Sequence, residues 1–367
     1  MKFFCTKNDL LTGVNTVQKA VSSKSTQPIL QGILITAENQ KLTFAATDLE
    51  IGILCDTPAN ILTEGKMVVP ARLFSEIVRK LPDTQLSIEL RDYTLLIEYD
   101  QSNINLKGYD PEEFPLFPEL ADAESFTMPT ALLKTMIKQT VFACSSEGSR
   151  PVFTGTLMQV ESGTVRLIGT DTHRLAYRIA EIPENPELHF YGIIPAKTMS
   201  EIYRLLKDED EIINIRFNKN QVEFEFGSVR LLSRLIDGQF PNYKQAIPQM
   251  CETKTYLSVR SFLEAVERAS LMAKDNHVGN IVRLVLKEDA MNIAQTSEMG
   301  KIQEQIPIRL DGKELGISFN AKFILDVLKI LDTDEILMEL SGPFSAAVIR
   351  PLEDPNYLYL LLPVRTA

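Results

Sequence analysis

One twelve-residue pattern occurs three times in this chain at a constant interval, and it limits the fold more than any other feature. Pro70 to Leu81 returns as Pro195 to Leu206 and again as Asn320 to Leu331, each copy 125 residues after the last. Phe74, Ile77, Val78 and Leu81 fall at helical spacing; Met199, Ile202, Tyr203 and Leu206 match them, as do Ile324, Val327, Leu328 and Leu331. Such a stripe is the buried face of a helix. A chain of 367 residues with a 125-residue period is expected to hold three domains.

An earlier helix opens each repeat, through Leu10, Leu11 and Val14, then Leu132, Leu133 and Met136, then Phe262, Leu263 and Val266. Between and after the helices come short alternating segments rich in β-formers, among them Gln85–Leu90, Thr94–Tyr99 and Gln221–Phe226. These read as half-buried antiparallel strands separated by Asn, Asp or Gly turns. Each repeat is then two helices on one face of antiparallel sheet, an α+β arrangement. Borders are expected in Pro115–Asp122 and near Ala246–Glu252, giving domains 1–121, 122–249 and 250–367. Both connectors are too short to be tethers, so the repeats should pack edge to edge.

The outer face of the repeated helix is basic. At about 100° per residue, Arg72 and Arg79 project within about 20° of each other, away from the apolar stripe. Lys197 and Arg204 stand in their places in the second copy, and Lys322 and Lys329 in the third. Taken singly these are ordinary solubilising residues; recurring three times, they outline a positive surface. The chain as a whole carries a net charge of −11, so contact with phosphate would have to be local.

Four scattered cysteines and three histidines indicate neither a disulfide framework nor a zinc site. The N-terminus becomes charged too early for a signal peptide, and no apolar run reaches the roughly 20 residues that cross a bilayer. A cytoplasmic protein without metal or cofactor is expected. Neither a phosphate-cradling glycine loop nor a nucleophile motif stands out. The polar run Gly169–Ala176 places Asp171 two residues from His173, which could suggest acid–base chemistry. Thr47 and Asp48 hold the same place in the first repeat, so Thr-Asp reads instead as a structural turn at a strand end.

Ala46–Glu50, Thr170–Ala176, Asp237–Tyr243 and Leu361–Arg365, in this order and at this length, resemble the bacterial DNA polymerase III β subunit family, the sliding clamps. The resemblance runs end to end. It implies a non-catalytic head-to-tail homodimer that closes a ring around duplex DNA, with helices lining the hole and sheets outside. It also implies sequence-independent contact with DNA by Arg72, Arg79, Lys80, Lys197, Arg204, Lys207, Lys322 and Lys329, with Lys134, Lys138 and Arg268 from the first helices and Lys24 and Arg150 from loops. Beside Arg150, Pro151 and Val152 stand where the family often has aromatic residues.

A further implication is an apolar cleft that takes Gln-Leu-x-Leu-Phe-like peptides from the replicative polymerase, the clamp loader and other proteins. Its wall would be Phe153, Thr170, His173, Arg174, Leu175, Pro241, Leu360, Leu362, Pro363 and Val364. Thr172 replaces a usual Gly, Gln245-Ala246 a basic-aliphatic pair, and Arg365-Thr366-Ala367 an ending in Leu, differences that bear on peptide preference. The subunit contact would set Ile104 and Leu106 against Leu271 and Met272. Two other readings compete with a clamp: an enzyme using Asp171 and His173, and a protein-only scaffold whose basic faces are incidental.

Overall fold

The computed structural model describes all residues except 23–24, 118–119, 121–122, 183–185, 208–210, 274–279, 299 and 366–367. Lys24, the 121/122 border and the last two residues of the C-terminal departure therefore lie outside the described residues. The six expected helices form: α1 (Lys7–Val17), α2 (Ala71–Lys80), α3 (Thr130–Thr140), α4 (Ala196–Leu205), α5 (Val259–Ser270) and α6 (Ala321–Leu328). Local chemistry starts several of them. Thr6 and Asp9 form a reciprocal capping box on α1, Ser258 caps α5, and the Asn320 side chain accepts from the Lys322 amide at 3.0 Å. The shared stripe is buried as expected, with Phe74, Val78, Met199, Ile202, Ile324 and Val327 fully inside and Ile77 and Tyr203 half-buried.

The chain divides into two compact units, and these do not follow the repeats: one is Met1–Ala131 with Glu201–Leu235, the other Leu132–Ser200 with Ile236–Ala367. The second repeat is thus divided. Strand pairing explains why, because the larger sheet of each unit runs across a repeat border.

In the first unit, an eight-stranded sheet runs in the order Glu124–Pro129, Ile212–Phe217, Gln221–Phe226, Val229–Arg234, Ile51–Pro58, Lys41–Thr47, Gly32–Glu38 and Gly65–Pro70. Its seam between repeats pairs Ile51 with Ser233 and Gly52 with Leu232, antiparallel. A five-stranded sheet ends on the edge strand Ser102–Lys107. Helix α1 lies so close to this scaffold that a Cβ on Gly13 would sit 2.2 Å from the Phe44 ring. Across α1 and α2, Arg79 donates to Asn15 and Gln18.

In the second unit, a nine-stranded sheet joins Arg174–Glu181 of the second repeat to Tyr357–Leu361 of the third, with Arg174 opposite Leu361 and Leu175 opposite Leu360. A four-stranded sheet ends on Gly300–Pro307. The main core gathers Phe262 and Val266 of α5, Ile324 and Val327 of α6, and Tyr357 and Tyr359 of the last strand.

Candidate functional site

The polar run noted in the sequence is a tight turn held by short-range hydrogen bonds. Thr170 Oγ1 donates to the Arg174 carbonyl at 2.6 Å, and Asp171 Oδ1 accepts from the amides of His173 and Arg174 at 3.0 and 3.1 Å. The same turn stands in the first unit, where Thr47 Oγ1 donates to the Ile51 carbonyl at 2.9 Å and Asp48 Oδ1 accepts from Glu50 and Ile51 at 3.1 and 2.9 Å. Even the strained corner repeats: Leu49 holds φ 77° and Thr172 φ 79°. Thr-Asp is therefore a folding device. The second oxygen of Asp171 accepts from Arg174 Nε at 3.0 Å, so this carboxylate is committed to an arginine.

Arg174 itself is 6% exposed. Its guanidinium donates to Asp326 of α6 at 2.6 Å and to the Phe142 carbonyl at 2.8 Å, and lies 4.5 Å from the centre of the Phe323 ring. The expected groove wall residue is thus a buried brace that ties the turn to α6. A buried cation satisfied on all sides holds geometry, and leaves little donor capacity for a partner.

The other residues expected in the cleft all belong to the second unit, and several of them gather around the turn. His173 is exposed, its ring stacked near that of Phe323 with centroids 6.4 Å apart, and its carbonyl accepts from the Leu362 amide at 2.9 Å. A cavity of about 510 Å³ beside it is lined by Phe153, Thr172, His173, Phe323, Arg150 and Lys322 among others. Adjoining it, Leu175, Leu360, Phe240 and Tyr243 form a buried apolar floor with Leu157, Ile168 and Val348. Thr170, Leu175 and Leu360 are floor, whereas Pro241 and Leu362 are exposed and Pro363 and Val364 half-buried. Cys144 also borders the cavity. Burial, with Asp171 adding to it, pushes this thiol up to about 12, so it stays protonated.

Sequence reasoning missed Phe323, Phe240 and Tyr243. Phe323 carried a signal: it occupies the repeat position where Leu73 and Thr198 stand, and is the one aromatic residue of the three.

The basic positions are exposed along their helices: Arg72, Arg79 and Lys80 on α2, Lys197 and Arg204 on α4, and Lys322 on α6, with Lys329 and Lys207 just beyond the helix ends and Arg150 in its loop. Several are held by acids. Lys138 pairs with Asp332 at 2.7 Å, Arg268 with Glu304 at 2.9 Å, Lys329 with Glu267 at 2.9 Å, Arg72 with Glu76 at 3.3 Å, and Arg204 with Glu201. The pairs of Arg72 and Lys329 are exposed on both sides, so they are weak and exchange readily for phosphate, whereas Glu201 is buried and holds Arg204 more firmly. Lys134 lies half-buried on α3.

For the expected subunit contact, Leu271 is 60% exposed and Met272 half-buried just after α5. Ile104 is half-buried on the edge strand, but Leu106 already lies within the first unit. Ile104 and Leu106 are two residues apart and so face the same side of the strand, opposite the buried Ile97 and Leu95 of its neighbour.

Residues 1–118, 127–242 and 244–365 match the N-terminal, central and C-terminal domains of the DNA polymerase III beta subunit family. A beta sliding clamp of Bacillus subtilis is 37% identical over 378 residues, covering 100% of both chains. The crystal structure of a DNA polymerase sliding clamp from Bacillus subtilis superposes with a TM-score of 0.97 at 37% identity, again over 100% of both chains. A DNA polymerase III subunit beta from Pseudomonas aeruginosa, solved bound to griselimycin, gives a TM-score of 0.95 at 27% identity with the same full coverage.

Proposed function

The chain belongs to the DNA polymerase III beta subunit family, the beta sliding clamps, and from that premise we propose how its residues carry out a clamp's work. It is a DNA polymerase processivity factor, non-catalytic, that encircles duplex DNA and tethers the replicative polymerase and other DNA-handling proteins. Three repeats, 1–121, 122–249 and 250–367, turn the basic faces of their helices toward the duplex. Attraction to phosphate without base contacts holds DNA in the ring yet leaves it free to slide. Arg72, Arg79, Lys80, Lys197, Arg204, Lys207, Lys322, Lys329 and Arg150 supply that contact, and those held by exposed acids exchange them for phosphate.

The ring is a head-to-tail homodimer. Ser102–Lys107 and Gly300–Pro307 are edge strands of different sheets, and joining one to the other across two subunits is a heterologous contact that covers both edges. Ile104, Leu271 and Met272 are the apolar side chains at that seam.

The observation that carries the partner-binding part is the union of the Thr170–Arg174 turn with the last strand, through the Leu362 amide and the His173 carbonyl. It sets exposed Leu362, His173 and Pro241 around an apolar floor, a groove suited to a short Gln-Leu-x-Leu-Phe-like segment. The clamp loader would use the same groove.

Retention on DNA tests the reading. The protein should sediment at twice its 41.3 kDa, stay on circular DNA in salt that strips ordinary binders, and slip off the same DNA once it is cut. A monomer at working concentrations, or equal loss from circular and linear DNA, would reject it.

A further inference from the structure

The first unit repeats the frame of the peptide groove. Apart from the bonds of the Arg174 side chain, where Ile51 stands, its turn reproduces the hydrogen bonds of Thr170–Arg174 residue for residue, and its strand seam has the same register, so that Gly52 stands for Leu175, Leu232 for Leu360 and Ser233 for Leu361. The connectors correspond as well. Phe114-Pro115-Leu116-Phe117 follows the first repeat as Phe240-Pro241-Asn242-Tyr243 follows the second. Phe240 and Tyr243 lie in the floor of the second unit's groove.

The difference that matters lies at Gly52. A Cβ on Gly52 would lie 2.4 Å from the Phe117 ring, so that ring already fills the space a side chain there would need. Phe117 packs on Ala45, Leu54, Leu120 and Leu232, with Phe114 beside it at 6.2 Å between centroids. Only about 100 Å³ remains, bordered by Leu49, Pro115, Leu116 and Arg234, and Leu116 is left 94% exposed. Glycine at 52 is what admits the ring, because Leu175, its counterpart, carries a full side chain.

We propose that the first unit holds a second peptide groove, closed by the chain's own Phe117, and that a peptide bearing a Leu-Phe pair enters it once that ring is removed. The resident segment shows the chemistry the groove accepts: an aromatic ring seated on Gly52, preceded by an aliphatic residue. Being tethered, Phe117 competes at an effective concentration on the order of millimolar, which a free peptide of ordinary affinity does not overcome. Each chain therefore offers one open groove. This rests on the reading of the second unit's groove given above.

The test is titration calorimetry of the full-length dimer with acetyl-Pro-Leu-Phe-amide. One peptide per chain is expected for the native protein and two for Phe117→Ala; Phe117→Ala with Gly52→Leu, which fills the vacated space, should return to one. A folded Phe117→Ala protein that still takes one overturns the proposal. Absence of binding to the native chain would count against the second unit's groove, and the Phe117→Ala result is read independently of it. Should Phe117→Ala fail to fold, a single 4-fluorophenylalanine at position 117 decides. Its fluorine resonance should move to the solvent-exposed value under peptide well above the millimolar range, and a line that stays fixed overturns the proposal.

Discussion

Thr172 and Leu49 sit at the same corner of two turns, and both hold a backbone conformation that side chains avoid. The left-handed region costs a residue with a Cβ about 1–2 kcal/mol, more for a β-branched one. Thr172→Gly is therefore expected to stabilise the fold by about 0.5–1 kcal/mol after the greater freedom of glycine in the unfolded chain is offset. Chemical denaturation would read this as a higher midpoint at unchanged slope. Arg174 predicts the opposite. Its loss strands Asp171 and Asp326, and Arg174→Met should cost about 3–5 kcal/mol. Burial pushes the Cys5 and Cys144 thiols from 9 up to about 12, so the folded protein keeps protons that the unfolded chain loses above pH 9. Stability should fall between pH 9 and 12, and iodoacetamide at pH 8 should label Cys5 and Cys144 only after denaturation. The sequence singled out Arg174 for the groove wall, and its part as a brace was not legible. An arginine reads as surface charge until Asp326 is known to lie beside it, and that partner is 152 residues away.

Helices were the legible elements, because a 3.6-residue period repeated three times states both the helix and its buried face. Strands were legible as strands, yet not in their partners. Alternation says which side chains face the core, and nothing in it tells Ile51–Pro58 that its neighbour is Val229–Arg234. The prediction for elements concerns charge. Reversing Arg72, Lys197 and Lys322 to Glu, one per repeat, should weaken binding to a short duplex uniformly across sequences. The salt dependence should flatten by up to about 3 in slope, following the 0.9 per phosphate contact expected for duplex DNA. Arg268→Glu, whose guanidinium already holds Glu304 in a bidentate pair, should change it less. Fluorescence anisotropy against salt concentration separates the two.

For the whole molecule, edge strands set the prediction. Leu271→Asp places a charge where an exposed apolar side chain is expected to meet the partner's edge strand, and should shift the sedimenting mass from twice 41.3 kDa toward 41.3 kDa while leaving the melting of the monomer unchanged. Ile104→Asp, on the strand face that Leu106 shares, should lower both the sedimenting mass and the melting of the first unit, and Leu106→Asp, at a buried position, should lower that melting further. The threefold plan was visible in the sequence at a glance. That plan suggests a molecule assembled from interchangeable parts, yet the middle copy shares its sheets with both neighbours. An ancestor could gain copies by duplication, but this descendant can no longer give one back. Any shortening by a whole copy would bare a long ladder of amides and carbonyls, and the remnant would be expected to clump rather than fold.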